Sequence, residues 1–306
     1  MRIAVVGAGA MGSIFGAGLK EAGHETVLVD VAGELVDAIN AEGVTVEREE
    51  SERVVEIPAT TDPSSVGQVD TVVFFVKCYH TAAAAEGARP LVGPGTIVAS
   101  LQNGWGNGEV LADAFGAEQL VVGVTYNSGT VRGLARVGHT GVSKTLVGAY
   151  TGSSEKAQPL AEALTSGGFE TEVADTILVE IWKKLILNAA TVPTSALTGL
   201  SIAPLGEPGP MLDLVDDLAR EATAVARAHG YEIDPEERVS VINDALPRGG
   251  SGKASMLQDF EANRKSEIDV ISGAIVRHAV EAGMDVPLNR AMVALVKGNE
   301  RARGIA

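Results

Sequence analysis

A run of Ile, Ala and Val from Ile3 to Val6 leads into Gly7-Ala8-Gly9-Ala10-Met11-Gly12, an apolar segment of helical period follows, and a second β-branched run ends at Asp30. This pattern predicts strand, helix, strand. A helix-like segment from Glu34 to Ala41 comes next, followed by a charged stretch from Thr45 to Ile57 that reads as a β-hairpin insertion, with the acidic run Glu47 to Glu52 as its solvated turn. Asp70 to Val76 is a continuous apolar run, the signature of a parallel strand buried on both faces, and it ends at Lys77. An alanine-rich helix is predicted over His80 to Leu91. After the turn at Gly93-Pro94-Gly95, a short strand over Thr96 to Ser100 runs into Gln102-Asn103-Gly104. Further strands are predicted at Leu120 to Tyr126, Ser143 to Ala149 and Glu170 to Val173, with a helix from Ser154 to Leu164.

Beyond Asp175 the period becomes helical throughout, punctuated by prolines including Pro193, Pro235 and Pro287. The chain is therefore expected to be α/β, with an N-terminal doubly wound sheet of Rossmann type over residues 1–174. An all-α domain is expected over residues 175–306.

The glycine motif narrows the chemistry. Gly7 suits the tight turn after the strand, Gly9 lets backbone N–H groups approach a pyrophosphate, and Gly12 lets the helix pack closely on the strand. Ala10 and Met11 open a helix whose N-terminus favours phosphate, and Asp30 stands where an acid would accept ribose hydroxyls. Lys77 and Asn103 fall at the carboxyl ends of predicted strands, where ligands meet such sheets. Asn-Gly is also ordinary turn chemistry.

Charge and cysteine usage remove other readings. With 24 Lys and Arg against 40 Asp and Glu, the net charge of −16 disfavours nucleic acid as a partner. Cys78 is the only cysteine, so neither a disulfide framework nor a cysteine zinc site can form within the chain, and a reducing, cytoplasmic setting is expected. Met1-Arg2 leads straight into the first strand and no apolar run reaches the roughly 18 residues of a membrane span, so neither a secretory leader nor a membrane anchor is expected. The five histidines, His24, His80, His139, His229 and His278, lack metal-ligand spacing, so no metal is expected.

Two segments of the helical half hold unusual charges. Read as a helix over Ile177 to Val192, the chain places Ile177, Ile181, Lys184 and Asn188 on one face, so Lys184 lies on an apolar stripe while Lys183 points elsewhere. A lysine so placed needs a partner, a lowered pKa, or a route to the surface along its own stem. In Ser255 to His278, Phe260, Glu267, Ile271, Ala274 and His278 form another stripe, which makes Glu267 a candidate partner for Lys184, structural or catalytic. Ser255-Met256-Leu257-Gln258 also reads as a capping box.

Together these motifs resemble the ketopantoate reductase (2-dehydropantoate 2-reductase) family over nearly the whole chain. The distinctive parts are Gln102-Asn103-Gly104, Lys184-Leu185-Ile186-Leu187-Asn188, and Ser255-Met256-Leu257-Gln258-Asp259 running on to Glu267-Ile268-Asp269. The resemblance implies reduction of ketopantoate to pantoate, as in pantothenate and coenzyme A biosynthesis. It implies Lys184 as general acid and Glu267 orienting substrate and cofactor. Asn103 and Asn188 would bond the hydroxyl and carbonyl region, Ser255 the carboxylate, and Lys77 would lie near the cofactor. The expected partner is a small 2-keto acid, with neither nucleic acid nor membrane, and a homodimer is compatible with the chain.

Two departures modify that expectation. The family usually places a basic residue after the second strand to hold the NADPH 2′-phosphate, whereas Asp30-Val31-Ala32 stands here, which favours NAD(H) over NADP(H). Val192 stands where the family often has another asparagine, so a different 2-keto acid also fits. As one straight helix, Ser255 and Glu267 would lie about 18 Å apart, so either the chain folds back near Ser255 or only one of them contacts substrate. Two rivals remain open: a β-hydroxyacid dehydrogenase, disfavoured by Ile181-Trp182-Lys183 where that family has a glycine-rich run, and a non-catalytic dinucleotide sensor.

Overall fold

The computed structural model describes residues 1–49 and 51–305. Among the described residues the strands are β1 (Arg2–Val6), β2 (Glu25–Val29), β3 (Val44–Arg48), β4 (Ser51–Val55), β5 (Ala59–Thr60), β6 (Thr71–Phe74), β7 (Ile97–Ser100), β8 (Leu120–Thr125), β9 (Ser128–Gly133), β10 (Arg136–Gly141), β11 (Thr145–Ala149) and β12 (Thr171–Val173). The helices are α1 (Ala10–Glu21), α2 (Gly33–Glu42), α3 (Thr81–Gly87), α4 (Asn107–Phe115), α5 (Gln158–Ser166), α6 (Ile177–Thr198), α7 (Ile202–Leu205), α8 (Pro210–Ala228), α9 (Pro235–Ala245), α10 (Ser255–Glu261), α11 (Ser272–Glu281) and α12 (Pro287–Ala302). The chain divides into two compact units: residues 1–102 with 107–178, and residues 103–106 with 179–306.

In the first unit the N-terminal apolar run is a central strand. The eight-stranded sheet has the order β12-β11-β8-β7-β6-β1-β2-β5 and is parallel except between β8 and β11. Val6 pairs in register with both Val29 and Phe74, so the carboxyl ends of β1, β2 and β6 align. Here the strand order reverses on either side of β1, the position at which open α/β sheets present their ligand crevice. The buried faces of the strands and of α1 meet around Phe15, which stacks on Phe169 at 4.0 Å.

A smaller sheet, β4-β3-β10-β9, completes this unit. The predicted hairpin over Thr45 to Ile57 is present as antiparallel β3 and β4, and β3 also pairs in parallel with β10. The acidic run is more than a solvated turn, because Glu47 and Glu52 both pair with Arg136; Glu50 lies outside the described residues. The β9–β10 hairpin had no distinct signal, since its residues are short, polar and glycine-rich.

The second unit is helical, and its core is built on Trp182, Leu185, Ile186, Leu218, Phe260, Ile275 and Val296. Proline stands in the first turn of three helices, at Pro210, Pro235 and Pro287, where its missing N–H costs no helical bond. Asp234 caps α9 by accepting from the Glu237 N–H at 2.8 Å.

Pro193 does not end the preceding helix: α6 runs through it to Thr198. Packing of Ala189, Ala190, Val192 and Ala196 in the core holds the helix there. Thr191 and Thr194 bond back to the carbonyls of Leu187 and Ala190, each at 2.8 Å. Among the described residues no helix is long and apolar enough to cross a membrane.

Candidate active site

The glycine loop is shaped by two close approaches. Gly7 has φ of +99° and donates its N–H to the Val29 carbonyl at 2.8 Å. A Cβ on Gly12 would lie 1.8 Å from the Gly7 carbonyl oxygen, so only glycine lets α1 start this near β1. Gly9 differs: it is exposed, and a Cβ there would meet no protein atom within 4 Å.

Behind Gly9, Ala10 and Met11 form a first helical turn whose N–H groups lack intrahelical acceptors, and no side chain caps it. That combination of open space and convergent N–H donors fits a pyrophosphate. Asp30, at the end of β2, is already tied to this loop. One carboxylate oxygen accepts from the Ala8 N–H at 2.7 Å and the other from the Ala32 N–H at 3.0 Å. Two carboxylate oxygens offer about four lone-pair sites, so capacity remains for ribose hydroxyls. Lys77 lies partly exposed just beyond β6.

In the second unit, Lys184 and Asn103 meet. The Lys184 ammonium donates to Asn103 Oδ1 at 2.8 Å, joining residues 81 apart in sequence. Asn103 is placed by the loop that follows it. Trp105 donates its N–H to the Val270 carbonyl at 2.8 Å, and Gly104, at φ +84°, would drive a Cβ to 2.4 Å from that same oxygen. Trp105 also packs against Trp182, two residues before Lys184, with ring centroids 5.1 Å apart. Val270 lies three residues after Glu267, so one short segment supports both Asn103 and the buried Glu267.

Burial pushes the Lys184 ammonium down to about 8, against the opposing pull of the Glu267 carboxylate. Lys183 is half-exposed and pairs with Glu180 at 2.9 Å. Asn188, one turn along from Lys184, is partly exposed, and its side-chain amide makes no hydrogen bond among the described residues.

The reading of Ser255 to His278 as one helical stripe is corrected. α10 ends at Glu261, and the chain then turns through Asn263 at φ +53°, with the Arg264 N–H donating to the Asp259 carbonyl at 2.7 Å. Asparagine tolerates this left-handed conformation, which stops the helix. Glu267 therefore sits in a short turn before α11, not on a helix, and the 18 Å objection to Ser255 and Glu267 sharing a ligand loses its premise.

The capping box is also absent. Ala254 is the cap, Ser255 is the first helical residue, and the Gln258 side chain donates to the Lys253 carbonyl at 2.9 Å. The Ser255 hydroxyl is partly exposed and has no protein partner among the described residues.

The contact missed from the sequence is the one between Asn103 and Lys184, for which no local periodicity could give a signal. Val192 is packed in the apolar core at 6% exposure. Val192→Asn is accordingly expected to destabilise the protein by about 1–3 kcal/mol by burying an amide, read as a lower urea midpoint; an unchanged midpoint would mean that the amide finds a partner there.

The ketopantoate reductase PanE/ApbA family model matches residues 3–152, and the PanE/ApbA C-terminal model matches residues 176–300. A 2-dehydropantoate 2-reductase from Pyrococcus abyssi is 31% identical over 305 residues, covering 99% of each chain. One from Halobacterium salinarum is 32% identical over 303 residues, covering 98% of this chain and 99% of the relative. Among solved structures, a D-mandelate dehydrogenase with NADH and anilino(oxo)acetate is similar over 100% of both chains, with a TM-score of 0.95 and 26% identity. A PanE/ApbA family ketopantoate reductase from Ralstonia eutropha JMP134 has a TM-score of 0.90 and 32% identity over 99% of this chain and 100% of its own. With both halves of the chain matched in order, it belongs to the ketopantoate reductase PanE/ApbA family.

Proposed function

We propose that this chain is an oxidoreductase that reduces 2-dehydropantoate to pantoate with a nicotinamide dinucleotide, serving pantothenate and coenzyme A synthesis. The observation that carries this reading is the Lys184 ammonium donating to Asn103 at 2.8 Å, with burial pushing it down to about 8 against the pull of the Glu267 charge. When bound, the nicotinamide supplies a hydride to the carbonyl carbon. Lys184 Nζ gives a proton to the carbonyl oxygen as negative charge develops on it. Asn103 fixes the ammonium's direction, and Glu267 keeps it charged against the cost of burial. Asn188 and Ser255, whose polar groups have no protein partner among the described residues, bind the substrate's hydroxyl and carboxylate.

Gly7, Gly9, Ala10, Met11 and Gly12 hold the pyrophosphate, while Lys77 and Asn103 lie by the cofactor. Asp30 accepts ribose hydroxyls, and its charge repels a 2′-phosphate, which makes NADH the preferred donor. No metal takes part. The single cysteine, Cys78, suits a cytoplasmic setting. Neither nucleic acid nor membrane is a partner, and the proposed assembly is a homodimer.

A steady-state assay crossing NADH and NADPH with ketopantoate and a panel of other 2-keto acids tests this reading. Ketopantoate is expected to be turned over best, with NADH preferred. If no 2-keto acid drives oxidation of either cofactor, the enzyme reading fails; a preference for NADPH refutes the role given to Asp30. Asp30→Ala is expected to cut the NADH:NADPH preference at least about tenfold. It should also raise both cofactor KM values, because the Ala8 N–H loses its acceptor.

A further inference from the structure

The histidines have no ligand spacing in sequence, yet the fold gathers two of them with a carboxylate. His229 forms the C-cap of α8, while His278 and Glu281 lie three residues apart at the end of α11. His229 Nε2 donates to the His278 carbonyl oxygen at 2.9 Å, and His278 Nδ1 lies 2.9 Å from Glu281 Oε2. The two rings meet edge to face with centroids 4.8 Å apart. One nitrogen from each imidazole and one Glu281 oxygen all lie within 4.8 Å of one another. We propose that His229, His278 and Glu281 form a binding site for a divalent transition cation of the Zn²⁺ class, separate from the reductase chemistry.

Three features favour this occupant. Two imidazoles and a carboxylate are donors for Zn²⁺, Co²⁺ or Ni²⁺, whereas Mg²⁺ and Ca²⁺ take oxygen ligands. The carbonyl that accepts from His229 Nε2 fixes the tautomer and leaves Nδ1 with its lone pair, the second contact that ligating histidines commonly make. Finally, the carboxyl ends of two helices, of 19 and 10 residues, converge on the site and add negative partial charge. Arg277, beside His278, turns its guanidinium to the Asp269 carbonyl at 2.7 Å.

A tetrahedral ion with bonds of about 2.1 Å needs donors roughly 3.4 Å apart, so the widest gap must close. Glu281, with 60% of its side chain exposed, has the freedom to close it. The ion takes the place of the proton between His278 and Glu281, which passes to the buffer. Water completes the coordination. The bound ion would tie the end of α8 to the end of α11.

The test uses the full chain after chelator treatment, with ZnCl₂ as the probe. Calorimetry is expected to show one saturable equivalent, with a higher melting temperature when Zn²⁺ is present. Both tryptophans of the chain contact the His278 ring, Trp182 at 5.4 Å and Trp105 at 5.8 Å, so their fluorescence should change on binding. Glu281→Gln and His229→Ala are each expected to weaken Zn²⁺ binding at least about tenfold while leaving reductase activity intact. Glu281→Gln alters an exposed group and leaves the fold unchanged, so it decides the matter even if a histidine variant fails to fold. Absence of saturable binding, or unchanged affinity in Glu281→Gln and His229→Ala, overturns the proposal.

Discussion

Lys184→Ala is expected to lower kcat by about 10²-fold or more, the contribution typical of a positioned general acid. The loss has two sources. No other group is proposed to protonate the forming alkoxide, and Glu267, buried beside the vacated site, is left without the cation it faces. The pH profile gives an independent reading. Because burial lowers Lys184 to about 8, the reduction rate should fall as pH rises through that value and the ammonium loses its proton.

Glu267→Gln removes the charge that holds the Lys184 pKa up, so the alkaline limb should move to lower pH. Lys184→Arg should keep the charge but lose the titration, flattening the limb at a low rate. Steady-state kcat measured from about pH 6 to about pH 10 checks all three variants. Turnover in Lys184→Ala equal to wild type would remove the lysine from the reaction.

The sequence was most informative where one local pattern dictates one structure. The run through Val6, the glycine loop and the β-branched stretch to Asp30 fold as expected, because a strand buried on both faces and a close helix approach leave little freedom in residue type. Lys184 also stood out, since a charge on an apolar stripe demands an explanation wherever the stripe packs. Local pattern failed where a single residue or a distant partner decides. Asn263 in a left-handed conformation breaks what periodicity presents as one helix, and Pro193 is overridden by the core around it. The bond between Lys184 and Asn103 depends on Gly104 and Trp105 locking onto Val270, a tertiary arrangement with no periodic trace. His229 and His278 likewise meet only because two helices end side by side.

Gly12→Ala and Gly9→Ala are expected to fail in different ways, and the contrast isolates what the loop does. A methyl on Gly12 would lie 1.8 Å from the Gly7 carbonyl oxygen, a backbone atom held by the Gly7 to Val29 hydrogen bond. The helix must back away or the turn must break, at a cost of about 1–3 kcal/mol or more. A lower melting temperature and at least about 10²-fold loss of kcat/KM for the cofactor should follow, as the first-turn N–H groups leave their places.

At Gly9 the backbone, with φ −67° and ψ −169°, suits alanine, and no protein atom lies within 4 Å of the added methyl. Stability should therefore stay within about 0.5 kcal/mol of wild type. The methyl instead enters the open space before the N-terminus of α1, and the cofactor KM should rise about tenfold because a pyrophosphate can no longer approach the backbone closely. Thermal melts and cofactor titrations separate the outcomes. An unchanged KM in Gly9→Ala would mean that the phosphates bind elsewhere. A Gly12→Ala variant of wild-type stability would mean that α1 shifts without strain and that its close approach to β1 does not hold the loop.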